Sequence, residues 1–514
     1  MNAADVAYWL AATLLLALLA ETARHSEWMS DTWIHAATVS EVARHPLHPV
    51  EPLTGEHVPF PYFSPWAMVL GWCMRLSGAS VFTVLTAAGL LSTGALLAAW
   101  KRLVNVMSPA RSAPLVCLAC LLLLWGTGTW FWSGFPSIGT LSIGFTWPSV
   151  LATAMWLELW RTALLVGELP RAHGMLVFAV LPGVLLLMHP FTASLAAVAV
   201  GATLAGQWRT SRQRVLDVSA CAIASGLLAL LWPWISLRIL IANPSGFTAI
   251  HHLLYESFTK SWILLVLTVP ALAARLIANR KDPFAWTAAI CAVGVLVGGL
   301  TRQWSLGRLG PGIALPGQLA LGCAMADAWT KRSQLRTPTW IAYSIAGAAT
   351  TLALVVGAWA NAWAVARALP GTSRRAAAEV ATSAPSPYPR VRWIRPYVHT
   401  GDVAVANDWQ VRRQLPAYGL RTVLPPWASP GLPDQQQRAT AELALYHHST
   451  SEKRRQQILR TYRVHWVVWS ATATAPRWPF GGMRLVACGP DGAALLAVDD
   501  SLTRRPPRCP ASRV

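Results

Sequence analysis

Long runs of apolar residues, separated by short polar segments, recur over the first 370 positions of the chain. The first run covers residues 6–20, and one of the last covers 341–360. A helix of roughly 20 apolar residues crosses the ~30 Å hydrocarbon core of a bilayer, so each run of this length predicts a transmembrane helix. The predicted helices lie near 6–22, 63–79, 81–103, 113–133, 141–160, 174–208, 217–241, 261–279, 284–300, 309–329 and 339–369.

The run 174–208 is too long for one upright crossing, and His189-Pro190 divides it. It predicts either one tilted helix or two short ones, because proline lacks a backbone donor and disfavours helical geometry at the residue before it. We therefore expect a mainly α fold, a polytopic bundle of about eleven to thirteen helices. The sequence shows no convincing internal repeat.

Beyond residue 394 the pattern becomes that of a soluble α/β domain. Strands are predicted at 403–406, 421–424, 465–469, 483–488 and 493–498, and helices at 433–447 and 451–462. The expected layout is a transmembrane domain over 1–370 with a first loop at 23–61, a linker at 371–394, a small soluble domain at 395–500 and a flexible tail at 501–514.

Composition supports a membrane protein. Of the 514 residues, 54% are hydrophobic and 12% are charged, and the mean hydropathy is +0.41. Soluble domains carry about 25% charged residues. These values exclude a soluble enzyme, a disordered chain, a coiled coil and a disulfide scaffold.

The formal net charge of +20 would suggest nucleic acid, but no zinc-finger spacing, recognition helix or aromatic–basic motif accompanies it. We expect contact with the headgroups of the lipid bilayer and no nucleic acid. Basic clusters at 209–214, 280–281 and 331–336 indicate cytoplasmic loops, which are enriched in Lys and Arg. The resulting alternation predicts an extracytoplasmic C-terminal domain, where Cys488 and Cys509 are able to form a disulfide.

Asp31 and His35 form the most informative pair in the first loop. Ser30 or Asp31 is a natural N-cap for an amphipathic helix that runs to Arg44, and residues four apart lie on one helical face. The pair supplies a carboxylate with a proton or hydrogen-bond partner at the membrane boundary. The alternative is that Asp31 only caps the helix and His35 is its solvated neighbour. The histidines downstream lack metal-ligand spacing, so no metal site is predicted.

A first transmembrane helix, a long acidic loop, many further helices and an outward soluble domain together resemble the GT-C glycosyltransferases. The motifs that carry the resemblance are Asp31-Thr-Trp-Ile-His35, Pro59-Phe-Pro-Tyr-Phe-Ser-Pro65, Gly401-Asp-Val-Ala-Val-Ala, Arg413-Gln-Leu-Pro-Ala-Tyr-Gly and Leu459-Arg-Thr-Tyr-Arg-Val-His-Trp-Val-Val. The resemblance implies a multi-pass hexosyl- or pentosyltransferase of the bacterial plasma (inner) membrane. It further implies transfer from a polyprenyl-phosphate sugar donor to a glycan, lipid or protein acceptor of the cell envelope.

In that family an acid of the first loop acts as general base or positions the acceptor. The matching residue here is Asp31, with Glu27 as the nearby alternative and His35 as its catalytic partner. The family often has two adjacent acids where Ser30-Asp31 has one. The resemblance therefore leaves open whether a divalent cation, Mg²⁺ or Mn²⁺, assists.

A polyprenyl phosphate leaves as an anion, and cations near the outer boundary would stabilise it. Arg302 and Arg308 precede the helix that begins near residue 309 and are the candidates for binding this phosphate. The alternative is that they are ordinary interfacial arginines, whose charged ends extend to the membrane surface. Burying a polar residue inside a membrane costs free energy, so a histidine within an apolar run indicates a functional role. His189 is therefore a further substrate-binding candidate. The remaining substrate-binding candidates are His57, Tyr62 and His251.

Two other functions fit a polytopic chain. A transporter or flippase of lipid-linked or polar solutes would spread ionisable residues through its membrane helices and repeat its architecture. Acids are nearly absent from the apolar runs here. A non-catalytic membrane assembly protein would have dispensable acids in the first loop.

Overall fold

In a computed structural model the chain folds into two compact units, each assembled from three separate stretches of sequence. The structure describes residues 2–25, 28–128, 131–235, 249–256, 258–334, 337–370, 385, 388–427, 429, 431–470, 482–499 and 509. The first unit comprises residues 1–26, 86–232 and 247–385, and the second comprises 27–85, 233–246 and 386–514.

Helices dominate the described chain. The α-helices are α1 Ala3–His25, α2 Thr32–Arg44, α3 Pro65–Ser77, α4 Val81–Met107, α5 Ala113–Leu123, α6 Ile138–Gly144, α7 Pro148–Leu164, α8 Arg171–Met188, α9 Pro190–Gln207, α10 Arg212–Ala229, α11 Leu253–Glu256, α12 Phe258–Trp262, α13 Val269–Ala278, α14 Pro283–Thr301, α15 Pro311–Thr330, α16 Thr337–Ala360, α17 Ala362–Ala366, α18 Trp409–Gln414, α19 Gln435–Tyr446 and α20 Glu452–Thr461. Short 3₁₀ segments are Ala249–His252, Ile263–Thr268, Trp304–Leu309, Arg332–Gln334, Arg392–Ile394, Leu415–Tyr418 and Pro490–Gly492. The mainly α fold with a small C-terminal sheet is confirmed.

Seven helical segments in the described part of the chain are long and apolar enough to cross a membrane. They are Ala3–His25, Val81–Met107, Arg171–Met188, Lys260–Ala278, Pro283–Thr301, Trp304–Thr330 and Thr337–Ala360. The sequence led us to expect eleven to thirteen. The difference arises because other apolar runs form shorter helices, among them α5 and α6.

The predicted single helix over 113–133 is wrong, because α5 ends at Leu123. Gly126 and Gly128 follow, and glycine is a poor helix former. The amide of Gly128 donates instead to the carbonyl of Lys260, at 3.0 Å.

Proline breaks two further predicted helices. The run 141–160 divides into α6 and α7, and Pro148 is the first residue of α7. The run 174–208 forms two helices, α8 and α9, with His189 at the junction and Pro190 as the first residue of α9. Of the two arrangements that the sequence allowed there, the pair of short helices is the one observed.

Close approach of backbones holds the first unit together. A Cβ atom at Gly322 of α15 would lie 2.6 Å from the Sγ of Cys117 on α5. In a membrane, small residues of this kind let helices pack tightly where no hydrophobic effect draws them together. Polar bonds add to the packing: the Tyr8 hydroxyl donates to the carbonyl of Leu97 at 2.6 Å.

Helix α2 of the first loop packs against α3 in the second unit. A Cβ at Gly71 would lie 2.3 Å from Cγ1 of Val42, and Arg75 Nη1 donates to the carbonyl of Ala43 at 3.1 Å. Helix α3 has 13 residues, which corresponds to about 20 Å. The transmembrane helix predicted near 63–79 is therefore too short to cross the hydrocarbon core.

The second unit also contains a five-stranded sheet in the order β2-β1-β3-β5-β4. Its strands are β1 Val403–Ala406, β2 Arg421–Thr422, β3 Val464–Trp469, β4 Met483–Cys488 and β5 Ala494–Val498. Strand β1 runs parallel to β2 and β3, and β5 runs antiparallel to β3 and β4. All five predicted strands are present, although β2 ends at Thr422 rather than at residue 424.

Both faces of this sheet are buried. Val405 and Val467 point to the face covered by α19 and α20, which contribute Leu445 and Ile458. Neighbouring strand positions point to the opposite face, which α18 and the segment Arg392–Ile394 cover. A sheet covered on both sides explains why the strands consist of near-continuous apolar residues.

The first loop is hydrogen-bonded to the edge strand β2. The carbonyl of Leu53 accepts from the Thr422 amide at 2.6 Å and from its hydroxyl at 3.1 Å. Arg438 and Glu56 form an ion pair at 2.8 Å. At the other edge of the sheet, Cys488 of β4 is joined to Cys509 by a disulfide, as the sequence allowed.

A buried ion pair joins α18 to α19 and should govern the stability of the second unit. The Glu442 carboxylate, 4% exposed, accepts from the Arg412 guanidinium and from the amide of Leu424. We expect Glu442→Ala to lower the unfolding free energy by about 3–5 kcal/mol, because it leaves a buried cation without its partner. The apolar double variant Arg412→Met/Glu442→Leu should regain most of that loss. Apparent melting temperatures in detergent measure both, and a double variant as unstable as the single one would contradict this account.

Candidate functional site

Asp31 occupies the N-cap position of α2, but its side chain makes no capping hydrogen bond. Its Oδ1 instead accepts a hydrogen bond from the indole Nε1 of Trp427, at 3.0 Å. The carboxylate is half-buried. Of the two N-cap candidates, Asp31 is the residue that precedes α2. Its carboxylate does not cap the helix, in contrast to the alternative interpretation, but bonds to Trp427.

His35 lies one helical turn beyond Asp31 and is buried rather than solvated, with 5% of its surface exposed. The rings of Tyr62 and Trp66 contact it edge-on, with centroids 5.5 and 5.4 Å away. Burial lowers the pKa of His35 to about 4, and the nearby Asp31 carboxylate offsets part of that effect. The imidazole is therefore neutral near pH 7.

The sequence named no site candidate on the Trp427 side of this bond, where Arg413 contacts the Trp427 ring and is itself contacted by Trp409 and Tyr388. The Arg413 guanidinium lies 4.6 Å from the ring centroid of Trp427 and 4.6 Å from that of Trp409. Its Nη1 donates to the hydroxyl of Tyr388, at 3.3 Å. The signal in the sequence was the i, i+4 spacing of Trp409 and Arg413, which puts an indole and a cation on one helical face.

The remaining first-loop candidates lie apart from this bond. Tyr62 packs on His35 and on Phe60, whereas His57 is exposed. Glu27 lies outside the described residues. Of the other acids of the loop, Glu41 accepts from Arg44 and His45.

In the first unit, three candidates from different helices meet around the ring of Phe191. The Arg308 guanidinium lies 4.6 Å from its centroid, and the rings of His251 and His189 lie 5.4 and 6.1 Å away. Trp132 lies against both Arg308 and His251, with centroid distances of 5.7 and 5.8 Å. The structure therefore brings together residues that are up to 119 positions apart in the sequence.

The helix break at His189 fixes its ring in this cluster. Its Nδ1 accepts from the amide of Thr192 at 3.2 Å, so that the ring caps α9, and its Nε2 lies 3.1 Å from the hydroxyl of Ser133. His251 is 5% exposed, and its Nδ1 has no hydrogen-bond partner among the described residues. Burial, and secondarily the charge of Arg308, lower the pKa of His251 to about 3.

The two candidate arginines differ in their surroundings. Arg308 is 7% exposed, whereas Arg302 is exposed and ends α14 in the left-handed conformation, with φ 58°. The glycines beside Arg308 serve packing, because a Cβ at Gly310 would lie 1.9 Å from the ring of Trp262. Of the two, Arg308 is the buried cation that lies with the histidines.

The described donor atoms around Asp31 are few. Within the described residues, no group of three or more His, Cys, Asp and Glu side chains is arranged to hold a metal ion. Mg²⁺ and Mn²⁺ need several oxygen ligands. The group that contacts the Asp31 carboxylate, the indole of Trp427, is a donor and adds no ligand. Among the residues that the structure describes, the donor set around Asp31 therefore does not fit a divalent cation.

The neutral state of His35 makes stability depend on pH. Its pKa of about 4 lies below the ordinary value of 6.5, so the stabilisation from the neutral ring is complete above pH 6.5 and is lost as the pH falls towards 4. A gap of this size corresponds to roughly 3 kcal/mol. We expect the apparent Tm of the natural protein to fall more between pH 7 and pH 4.5 than that of His35→Phe, which keeps the ring contacts but cannot titrate. Equal falls would contradict a buried neutral His35.

Comparisons with known proteins support the fold. No protein-family model and no curated protein matches the chain. The chain is similar to the solved structure of the arabinofuranosyltransferase AftD from mycobacteria, with a TM-score of 0.57 and 16% identity, covering 96% of this chain and 40% of that chain. Two further similar structures are ArnT from Cupriavidus metallidurans (TM-score 0.47, 15% identity, 96% of this chain and 98% of that chain) and the oligosaccharyltransferase AglB from Archaeoglobus fulgidus (TM-score 0.46, 12% identity, 91% and 70%).

The chain spans about two fifths of the length of AftD. At this level of identity the likeness concerns the fold. The chain shares its fold with this arabinofuranosyltransferase, and the resemblance noted in the sequence led us to expect such a fold.

Proposed function

We propose that the protein is a membrane glycosyltransferase that moves a sugar from a polyprenyl-phosphate donor to an acceptor outside the cytoplasm, with Asp31 as general base. The observation that carries this proposal is the Asp31 carboxylate, which stands at the start of α2 and bonds to Trp427 instead of capping its helix. The fold shared with an arabinofuranosyltransferase supports the same reaction class.

The proposed reaction is a single displacement at the anomeric carbon of the donor sugar. Asp31 accepts the proton of an acceptor hydroxyl while that oxygen forms a bond to the anomeric carbon. The bond between this carbon and the phosphate oxygen breaks, and the polyprenyl phosphate leaves with the electron pair. No step runs through a metal ion.

We assign the leaving phosphate to the cluster of Arg308, His251 and His189. An anion that forms in the transition state is stabilised most by a fixed cation in a site from which water is excluded. Arg308 is such a cation, since it is buried and lies over aromatic rings. The Nδ1 of His251 offers a further polar group beside it.

We further propose that the protein resides in the bacterial plasma membrane with its C-terminal domain outside the cytoplasm. The seven apolar helices support residence in a membrane. The Cys488–Cys509 disulfide supports exposure of the second unit to an oxidising compartment. Hexosyl and pentosyl donors, and glycan, lipid and protein acceptors, are all compatible with these features.

Replacing the proposed base tests the reaction. We expect Asp31→Asn to reduce transfer from a panel of radiolabelled polyprenyl-phosphate pentoses and hexoses by at least about 100-fold, because the amide cannot accept the proton. Glu56→Gln, which removes an exposed acid of the same loop, should keep full transfer. Retained transfer in Asp31→Asn would remove Asp31 from the mechanism.

The phosphate assignment predicts a difference between two arginines. We expect Arg308→Gln to lower kcat/KM for the donor by at least about 100-fold, since it removes a buried cation from the developing phosphate charge. Arg302→Gln should have a much smaller effect, because Arg302 is exposed. If the Arg302 variant loses as much as the Arg308 variant, the phosphate site is not the Phe191 cluster.

A further inference from the structure

We infer that Trp427 is a positioning residue, whose indole N–H fixes the Asp31 carboxylate, and that the Trp409–Arg413 pair holds the Trp427 ring in place. This inference rests on the proposed function of Asp31 as base. It concerns residues of the second unit only.

The first observation is that Asp31 differs from two other aspartates of the chain that precede helices, Asp282 and Asp408. Asp282 accepts from two backbone amides at the start of α14, and Asp408 accepts from two at the start of α18. Asp31 accepts from none at the start of α2, where its backbone has the helical angles φ −72° and ψ −7°. An aspartate in this position usually stabilises its helix through such bonds. The Asp31 carboxylate accepts from the indole of Trp427 instead.

The second observation is the chemical nature of the partner. An indole N–H is a neutral donor with no acceptor capacity. It orients Oδ1 through a neutral hydrogen bond at 3.0 Å. We assign the acceptor hydroxyl to the other oxygen, Oδ2.

The third observation is the support behind Trp427. The guanidinium of Arg413 lies 4.6 Å from the ring centroid of Trp427 and 4.6 Å from that of Trp409. Its Nη1 also donates to the hydroxyl of Tyr388 at 3.3 Å. A cation at this distance attracts both indole rings. Arg413 therefore stabilises the position of the Trp427 ring, and its own position is fixed by Trp409 and Tyr388.

The chain provides a matched control for this bond. Trp466 of β3 donates its indole N–H to Oδ2 of Asp402, at 2.8 Å. Trp466→Phe therefore removes the same type of bond from the same unit, but at an acid that has no assigned role. Trp427→Phe removes the bond to Asp31 and keeps an aromatic ring over Arg413.

We expect Trp427→Phe to lower kcat for transfer from polyprenyl-phosphate sugars by roughly tenfold with KM changed less than twofold, because the base loses its orientation and the donor site is intact. Trp466→Phe should leave both constants within twofold of the natural protein. Arg413→Met, which keeps Trp427 and removes only its support, should give a smaller fall in kcat. Equal kcat for Trp427→Phe and Trp466→Phe would overturn the inference.

The readouts separate this inference from the proposed function. If Asp31→Asn retains full transfer, the proposed base is wrong regardless of the tryptophans. If Asp31→Asn abolishes transfer but Trp427→Phe and Arg413→Met both keep natural kcat values, only the positioning role fails. Should Trp427→Phe melt at a lower temperature than Trp466→Phe, Arg413→Met decides, and an unchanged kcat in that variant would count against the inference.

Discussion

The absence of water from the hydrocarbon core is the constraint on which this structure depends. A peptide group there finds no water, so the chain leaves helical geometry only where other groups of the protein replace the missing bonds. The carbonyl of Leu124, just past α5, accepts from the side-chain amide of Gln318 at 2.8 Å. At the start of α9, the ring of His189 accepts from the backbone amide of Thr192. Polar side chains of the first unit thus stabilise interruptions of its helices.

Histidine and arginine differ in charge state when they are buried among aromatic rings. His35 and His251 are both driven to the neutral state by burial, whereas guanidinium groups stay charged in proteins and tolerate contact with rings. Arg308 and Arg413 consequently lie over phenyl and indole rings. In these surroundings the arginines keep a fixed positive charge, whereas the buried histidines carry none.

Periodicity and local spacing predicted much of this structure. Runs of apolar residues located seven segments long and apolar enough to cross a membrane, and Asp31, one of two N-cap candidates, precedes α2 as expected. The ends of helices were harder to predict, because the end of α5 involves a bond from Gly128 to Lys260, more than a hundred positions away. The bond between Trp427 and Asp31 spans 396 positions, and Phe191 gathers its histidines and arginine from three segments. Contacts of this range leave no periodic trace in a single sequence.

The discontinuity of the second unit has a consequence for biosynthesis. Residues 27–85 emerge from the ribosome early, but the strand that pairs with Leu53 and the indole that bonds Asp31 belong to the last quarter of the chain. Domains usually fold in the order in which they are made. Here the first loop cannot form its bonds to Thr422 and Trp427 until nearly all the membrane helices have been synthesised. The hydrogen bond that holds the Asp31 carboxylate therefore forms only when translation is almost complete, and a chain terminated before Trp427 would lack it.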